Sequence, residues 1–236
     1  MSRNNFFQFK QFRVFQEKSG MKVGVDGVLL GAWANLERAR QILDVGTGTG
    51  LLALMAAQRS GATIDAVELE PEAAAEAYSN FQSSEWLWRF QLSVGAFQNF
   101  QTHKKYDHII SNPPFFDNSQ KSADVKRAQA RHADSLSLKE LLEKSKEYLD
   151  ENGKISLILP ADKEMRLLEL SQLLNLKLTR ITRVASDETK KIHRLLVELS
   201  LTDAPLEDST FFIRDAATGN YSTGYRELTT DFYLSI

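Results

Sequence analysis

The run Asp44-Val45-Gly46-Thr47-Gly48-Thr49-Gly50 constrains this chain most. It joins a short apolar stretch, Gln41–Val45, to a second one carrying Leu51, Leu52, Leu54, Met55 and Ala56 at helical spacing. A buried strand that turns through glycines straight into a helix is the opening move of a βαβ unit. Such a turn lets a ligand lie against the main chain, with helix N-terminal amides free to donate. Dinucleotide folds use those donors for pyrophosphate, but Asp44 at the strand end repels phosphate and attracts a ligand ammonium group. The glycines also fall as Gly-x-Gly-x-Gly, not the Gly-x-Gly-x-x-Gly of nicotinamide sites. Glu68 closes the next expected strand, Thr63–Leu69, where a carboxylate can accept hydrogen bonds from two ribose hydroxyls.

The same alternation continues down the chain. Phe90–Val94, Tyr106–Ser111, Lys154–Leu159, Lys177–Val184 and Ile192–Leu201 read as further strands, giving seven. Helices are expected between most of them. Pro71 suits the first turn of one, Ser137-Leu138-Lys139-Glu140 has the capping-box pattern, and Asp162 is placed to cap another, with Met165, Leu168 and Leu173 as apolar positions. The last two strands, joined by residues 185–191, predict a hairpin and so an antiparallel end to a mostly parallel sheet. The segment 210–236 reads as a last strand and a terminal helix or tail, and residues 116–134 as a long polar loop. The fold class is α/β with helices on both faces, and 236 residues suit one catalytic domain.

Several function classes fall away. The chain has no cysteine, which removes disulfides and thiolate metal sites, and its four histidines show no ligand spacing, so no metal is expected. No apolar run approaches the ~20 residues of a membrane span, and the start lacks the apolar stretch of a secretory signal. A cytoplasmic protein with no membrane partner and no obligate protein partner is expected. Net charge is −2, yet residues 1–22, 119–132 and 177–194 are each locally basic. Such patches are either solvated surface or a polyanion site.

The second motif is Asn112-Pro113-Pro114-Phe115, at the end of the strand Tyr106–Ser111. Alone it is a plain Asn-Pro turn. After a cofactor-type loop it suits a flat, weakly nucleophilic amino group. The Asn112 side-chain carbonyl and the Pro113 backbone carbonyl can accept two N–H bonds, the prolines stiffen the turn, and Phe115 offers a stacking face.

Together these residues resemble the class I S-adenosylmethionine-dependent methyltransferases that modify amino groups. The resemblance implies a Rossmann-like fold and S-adenosylmethionine as cofactor, held by Asp44, Gly46, Thr47, Gly48, Thr49, Gly50 and Glu68. It implies that Asn112, Pro113, Pro114 and Phe115 are catalytic, with Asn112 also beside the cofactor. The family usually has an acidic or polar residue after the third strand to meet the cofactor adenine. Here the segment is Val94-Gly95-Ala96-Phe97, so Ala96 backbone groups, or packing by Phe97 and Leu69, would serve.

Met21–Trp33 is further similar to the segment before the glycine loop in bacterial tRNA1(Val) (adenine-37-N6)-methyltransferases, a family with Asn-Pro-Pro-Phe and similar length. That likeness implies methyl transfer to adenine N6 at position 37 of tRNA, beside the anticodon. It makes residues 1–35 an N-terminal segment and lid and 36–236 the catalytic domain, with Asp26 in the lid beside the cofactor. It also makes tRNA the partner, with Lys10, Arg13, Lys121, Lys126, Arg127 and Arg131 as candidate RNA contacts. The phenylalanines interleaved with Lys10 and Arg13 (Phe6, Phe7, Phe9, Phe12 and Phe15) either stack bases or pack on the core. The alternatives are a protein-glutamine N5-methyltransferase of the release-factor type, a guanine-N2 RNA methyltransferase, or a catalytically silent binding module. The release-factor type usually has a sizeable helical domain before the loop and tyrosine in place of Phe115.

Overall fold

Neighbouring residues along the strands are buried in two different hydrophobic cores, and this sets the layering. In the computed structural model, which describes residues 5–19, 22–113 and 136–235, Ile42, Ile110, Ile158 and Leu196 share one core and Leu43, Ile109, Leu157 and Leu195 the other. The central strands that carry these residues are therefore buried on both faces, as a parallel sheet requires.

The sheet contains β3 (Gln41–Val45), β4 (Thr63–Glu68), β5 (Phe90–Val94), β6 (Tyr106–Ser111), β7 (Leu149–Pro160), β8 (Lys177–Ala185), β9 (Arg194–Ser200) and β10 (Glu207–Phe212), in the order β10-β8-β9-β7-β6-β3-β4-β5. Only β9 runs antiparallel to its neighbours, pairing with both β7 and β8. The expected antiparallel end is thus present, as a single reversed strand. The last strand expected from residue 210 is β10, which starts at Glu207, lies parallel to β8 at the edge and brings the sheet to eight strands where seven were expected. Its polar, mostly exposed sequence Glu-Asp-Ser-Thr-Phe-Phe carries no strong alternation.

Helices α1 (Val25–Trp33), α2 (Leu51–Arg59), α3 (Pro71–Gln82) and α6 (Thr223–Thr229) share the first core; α4 (Leu138–Tyr148) and α5 (Glu164–Leu173) share the second. Pro71 sits in the first turn of α3, and Ser137 and Glu140 form the reciprocal capping box of α4. Asp162 does not cap α5. A 3-10 turn over Ala161–Lys163 displaces the helix start, and Asp162 pairs with Lys163 instead. The buried face of α5 is Leu167 and Leu170, whereas Met165, Leu168 and Leu173 are exposed.

Ahead of the sheet, β1 (Phe6–Gln8) and β2 (Arg13–Phe15) form a small hairpin. Phe9 and Phe12 are buried against the first core with ring centroids 4.7 Å apart, so these two rings pack inward and do not stack bases. The chain then crosses α3, where two side chains hold it. The buried Glu76 carboxylate accepts from the backbone amides of Glu17, Lys18 and Ser19, and Asn80 bonds both backbone groups of Phe15 and the carbonyl of Thr49. Glu76 and Asn80 are one turn apart on α3, so one helix face carries the whole clamp.

Candidate active site

From β3 the chain builds outward through β4 and β5, then returns to place β6 on the other side of β3. Ligands of open α/β sheets bind outside the strand ends at such a reversal. Here the loop after β3 and Asn112-Pro113, just after β6, meet. They share a cavity of about 550 Å³ lined by Gly46, Thr47, Gly48, Thr49, Asn112 and Pro113, with Gly24 capping α1, Val25, Asp26 and Gly27 from its first turn, and Ile158, Pro160 and Arg194. Ser111, fully buried, ties the two strand ends by donating from Oγ to the Val45 carbonyl at 2.7 Å.

The glycine loop is shaped by its own sequence. Gly46 and Gly48 have positive φ, and a Cβ on Gly46 would meet nothing within 4 Å, so that side of the loop is open. At Gly50 the reason is packing, because φ is 82° and a Cβ would stand 2.5 Å from the Phe81 ring. The Gly46 and Thr47 amides bond the Val67 carbonyl, while the Gly48 amide donates to Glu68 Oε2 at 2.8 Å. The Glu70 amide takes the other Glu68 oxygen at 3.0 Å. Each carboxylate oxygen retains a lone pair for a further donor.

Asp44 is fully buried. Its Oδ2 accepts from Thr47 Oγ1 at 2.6 Å, and its Oδ1 has no hydrogen-bond partner among the described residues. Burial pushes the carboxyl up to about 7, helped by the nearby Glu68 charge and opposed by the Thr47 hydrogen bond. A buried, unsatisfied carboxylate oxygen is costly in isolation. It suits a ligand ammonium group, and an open glycine loop beside it suits the rest of an amino acid. The residues present therefore fit S-adenosylmethionine. Asp44 and the glycine loop would hold its methionine end, and Glu68 its ribose.

Asp26, in the first turn of α1, accepts from Arg194 Nε at 2.7 Å. The pair spans the cavity rim and joins the N-terminal segment to β9. Leu69 and Ala96 lie just beyond the ends of β4 and β5, apart from the residues lining this cavity. Leu69 is largely exposed, and the Ala96 carbonyl is taken by the Asn99 amide. The Phe97 ring is buried in the second core beside Phe100.

Among the candidate RNA contacts, Lys10 donates to the Thr230 carbonyl at 2.5 Å, and Arg13 bonds Gln8 and lies over the Phe6 ring. Pro114, Phe115, Lys121, Lys126, Arg127 and Arg131 lie outside the described residues. No cluster of metal-ligating side chains occurs among the described residues, where His108 is buried against Ser156. Sequence reasoning did not single out Arg194, which lines the cavity, Ser111, which ties the strand ends, or Glu76, which holds residues 17–19. Arg194 lay within a basic stretch, but nothing local distinguished it from its neighbours.

A glycine loop beside a buried acid, with a glutamate ending the next strand and Asn112-Pro113 at the switch point of this sheet, fits an S-adenosylmethionine-dependent methyltransferase. The family model described as "Methyltransferase small domain" matches residues 27–194. A tRNA1(Val) (adenine(37)-N6)-methyltransferase of Parabacteroides distasonis is 41% identical over 235 residues, covering 99% of both chains. One from Aliivibrio fischeri is 44% identical over 231 residues, covering 98% of both. Among solved structures, a protein described as a predicted O-methyltransferase from Agrobacterium tumefaciens superposes with TM-score 0.67 at 16% identity, covering 88% of this chain and 96% of that one, a likeness of fold. The chain belongs to the family of tRNA1(Val) (adenine(37)-N6)-methyltransferases.

Proposed function

We propose that this protein transfers a methyl group from S-adenosylmethionine to the exocyclic N6 of adenine 37, beside the anticodon of tRNA1(Val). The observation that carries the reading is that Asn112 and Pro113 line the same cavity as Gly46–Thr49. Acceptor groups for the target amine thus stand next to the cofactor loop, locked there by the Ser111 bond to Val45.

The cofactor supplies, when bound, a methyl group on positively charged sulfur. The chain's own work is positioning. Adenine N6 is a poor nucleophile because its lone pair is delocalised into the ring. The Asn112 side-chain carbonyl and the Pro113 backbone carbonyl accept its two N–H bonds, which aims the nitrogen lone pair as it forms. The same dipoles stabilise nitrogen as it becomes cationic. No strong base is required, because the methylated ammonium is acidic and its proton leaves to solvent. The Asp44 carboxylate holds the cofactor's ammonium group and takes no part in that proton transfer.

The target base has to leave its stack, which costs least in a single-stranded anticodon loop. The reading puts the protein in the cytoplasm with tRNA; no helix among the described residues is long and apolar enough to cross a membrane. The test is incubation with methyl-labelled cofactor and total tRNA from a strain lacking the gene, followed by nucleoside mass spectrometry. Labelled N6-methyladenosine is expected. Label in a protein band with unlabelled RNA would instead make this a glutamine methyltransferase, and label in N2-methylguanosine a guanine enzyme.

A further inference from the structure

We infer that Arg194, aimed by Asp26, is a substrate-binding residue that grips a phosphate of the RNA flanking the target nucleotide. The inference rests on the tRNA reading above and adds a named contact to it. Arg194 begins β9 and lines the cavity shared by the glycine loop and Asn112. Its Nε donates to Asp26 Oδ2 at 2.7 Å and its Nη1 to the His193 carbonyl at 3.0 Å. A guanidinium carries five N–H donors in a fixed fork. Two are engaged, and the rest have no partner among the described residues.

The side chains of Arg194 and Asp26 are each about a third exposed, at 34%. The arginine is therefore held in one direction while part of its fork faces solvent at the cavity rim. Asp26 fixes the Nε edge and the His193 carbonyl takes one Nη1 hydrogen, which leaves Nη2 and the other Nη1 hydrogen for an oxyanion. Bidentate recognition of phosphate is what such a fork does well.

The surroundings favour a polyanion over a single small acid. Lys190 and Lys191 are exposed just before β9, and Lys22, also exposed, lines the same cavity. Among the described residues lining the cavity, Lys22 and Arg194 are thus two cations against the one acid Asp26. A nucleotide turned into the cavity toward Asn112 leaves its phosphate outside, at the level of such a rim. The cofactor's carboxylate is the other oxyanion within the site's chemistry, and the test separates the two.

Binding of a fluorescent anticodon stem-loop RNA, with S-adenosylhomocysteine saturating, is measured across a potassium chloride series for the parent, Arg194→Ala and Arg194→Lys. Cofactor affinity is measured in parallel by calorimetry. Arg194→Ala is expected to weaken RNA binding roughly tenfold and to make the salt slope shallower by about 0.7 to 0.9, the value of one phosphate contact. Cofactor affinity should stay within about twofold, since the cofactor ammonium is assigned to Asp44. Arg194→Lys should keep the slope and lose part of the affinity, because an ammonium lacks the fork that Asp26 aligns; this variant carries the test if the alanine form does not fold.

An unchanged slope with weakened cofactor binding would overturn the inference and give Arg194 to the cofactor carboxylate. Unchanged binding of both, with only a lower melting temperature, would reduce the Asp26–Arg194 pair to a tie between α1 and β9. A parent protein that neither binds nor methylates RNA overturns the functional reading itself, a result distinct from either of these.

Discussion

Ser111 Oγ donates to the Val45 carbonyl at 2.7 Å, a fully buried bond that fixes the turn bearing Asn112 against the loop that begins at Gly46. These two residues lie on adjacent parallel strands. The bond therefore sets how far the target amine stands from the cofactor site.

Ser111→Ala removes that donor without creating a clash. Stability should fall by about 1 to 2 kcal/mol, the cost of losing a buried hydrogen bond, measured by urea unfolding. Turnover should fall by more than the loss of folded protein explains, because Asn112 is no longer held. Wild-type turnover per folded molecule would mean that the strand ends need no such tie.

Asp44 makes stability and cofactor binding respond to pH in opposite directions. Burial raises its carboxyl from 3.8 to about 7, so the folded apo protein keeps a proton that the unfolded chain releases. The associated stability is fully present below about pH 4 and is lost as pH rises through about 7, at up to roughly 1.4 kcal/mol per pH unit. Cofactor binding needs the ionised carboxylate, so affinity should rise up to about tenfold per pH unit toward pH 7 and then level off. Asp44→Asn should flatten both dependences and abolish measurable cofactor binding. Urea unfolding and calorimetry from pH 5 to 8 check this, and a cofactor affinity indifferent to pH would refute it.

Gly50→Ala tests the loop's backbone. A side chain there meets both a left-handed backbone and the Phe81 ring at 2.5 Å. A loss of about 2 kcal/mol or more is expected, with weakened cofactor binding. Gly46→Ala faces the same backbone cost but open space on the cavity side, so it should harm cofactor binding more than packing.

Glu76→Gln tests the clamp on the N-terminal segment. Three backbone amides share this carboxylate, and an amide side chain has one acceptor oxygen where the carboxylate has two. Residues 15–19 should become more protease-sensitive, and the cofactor Kd should rise several-fold as the path from this segment to Lys22 and Asp26 loosens. Unchanged proteolysis would show that Asn80 alone suffices.

Much of this architecture is legible in the sequence because its signals are local. Gln41–Val45, the glycine run and the apolar positions after it fall within one βαβ unit, and the capping box before α4 spans four residues. What stayed hidden depends on distance or on weak patterning. Asp26 and Arg194 are 168 residues apart, and no periodicity announces their pairing. Glu76 sits in an alanine-rich helix, where a buried acceptor looks the same as a solvated one. The phenylalanines near the N-terminus fit two readings, and burial of Phe9 and Phe12 decided for core packing at those positions. The cofactor adenine pocket was expected around Leu69, Ala96 and Phe97, and burial of the Phe97 ring in the second core is visible only once α4 is seen to pack beside it.

The most direct test of the account is single-turnover methyl transfer to tRNA by Asn112→Ala with cofactor saturating. Asn112 is assigned to the target amine, with Asp44 and the loop carrying the cofactor. The account predicts cofactor affinity within about twofold of the parent and a transfer rate lower by about a hundredfold or more. A transfer rate equal to the parent's, with the variant folded and cofactor-bound, would contradict it.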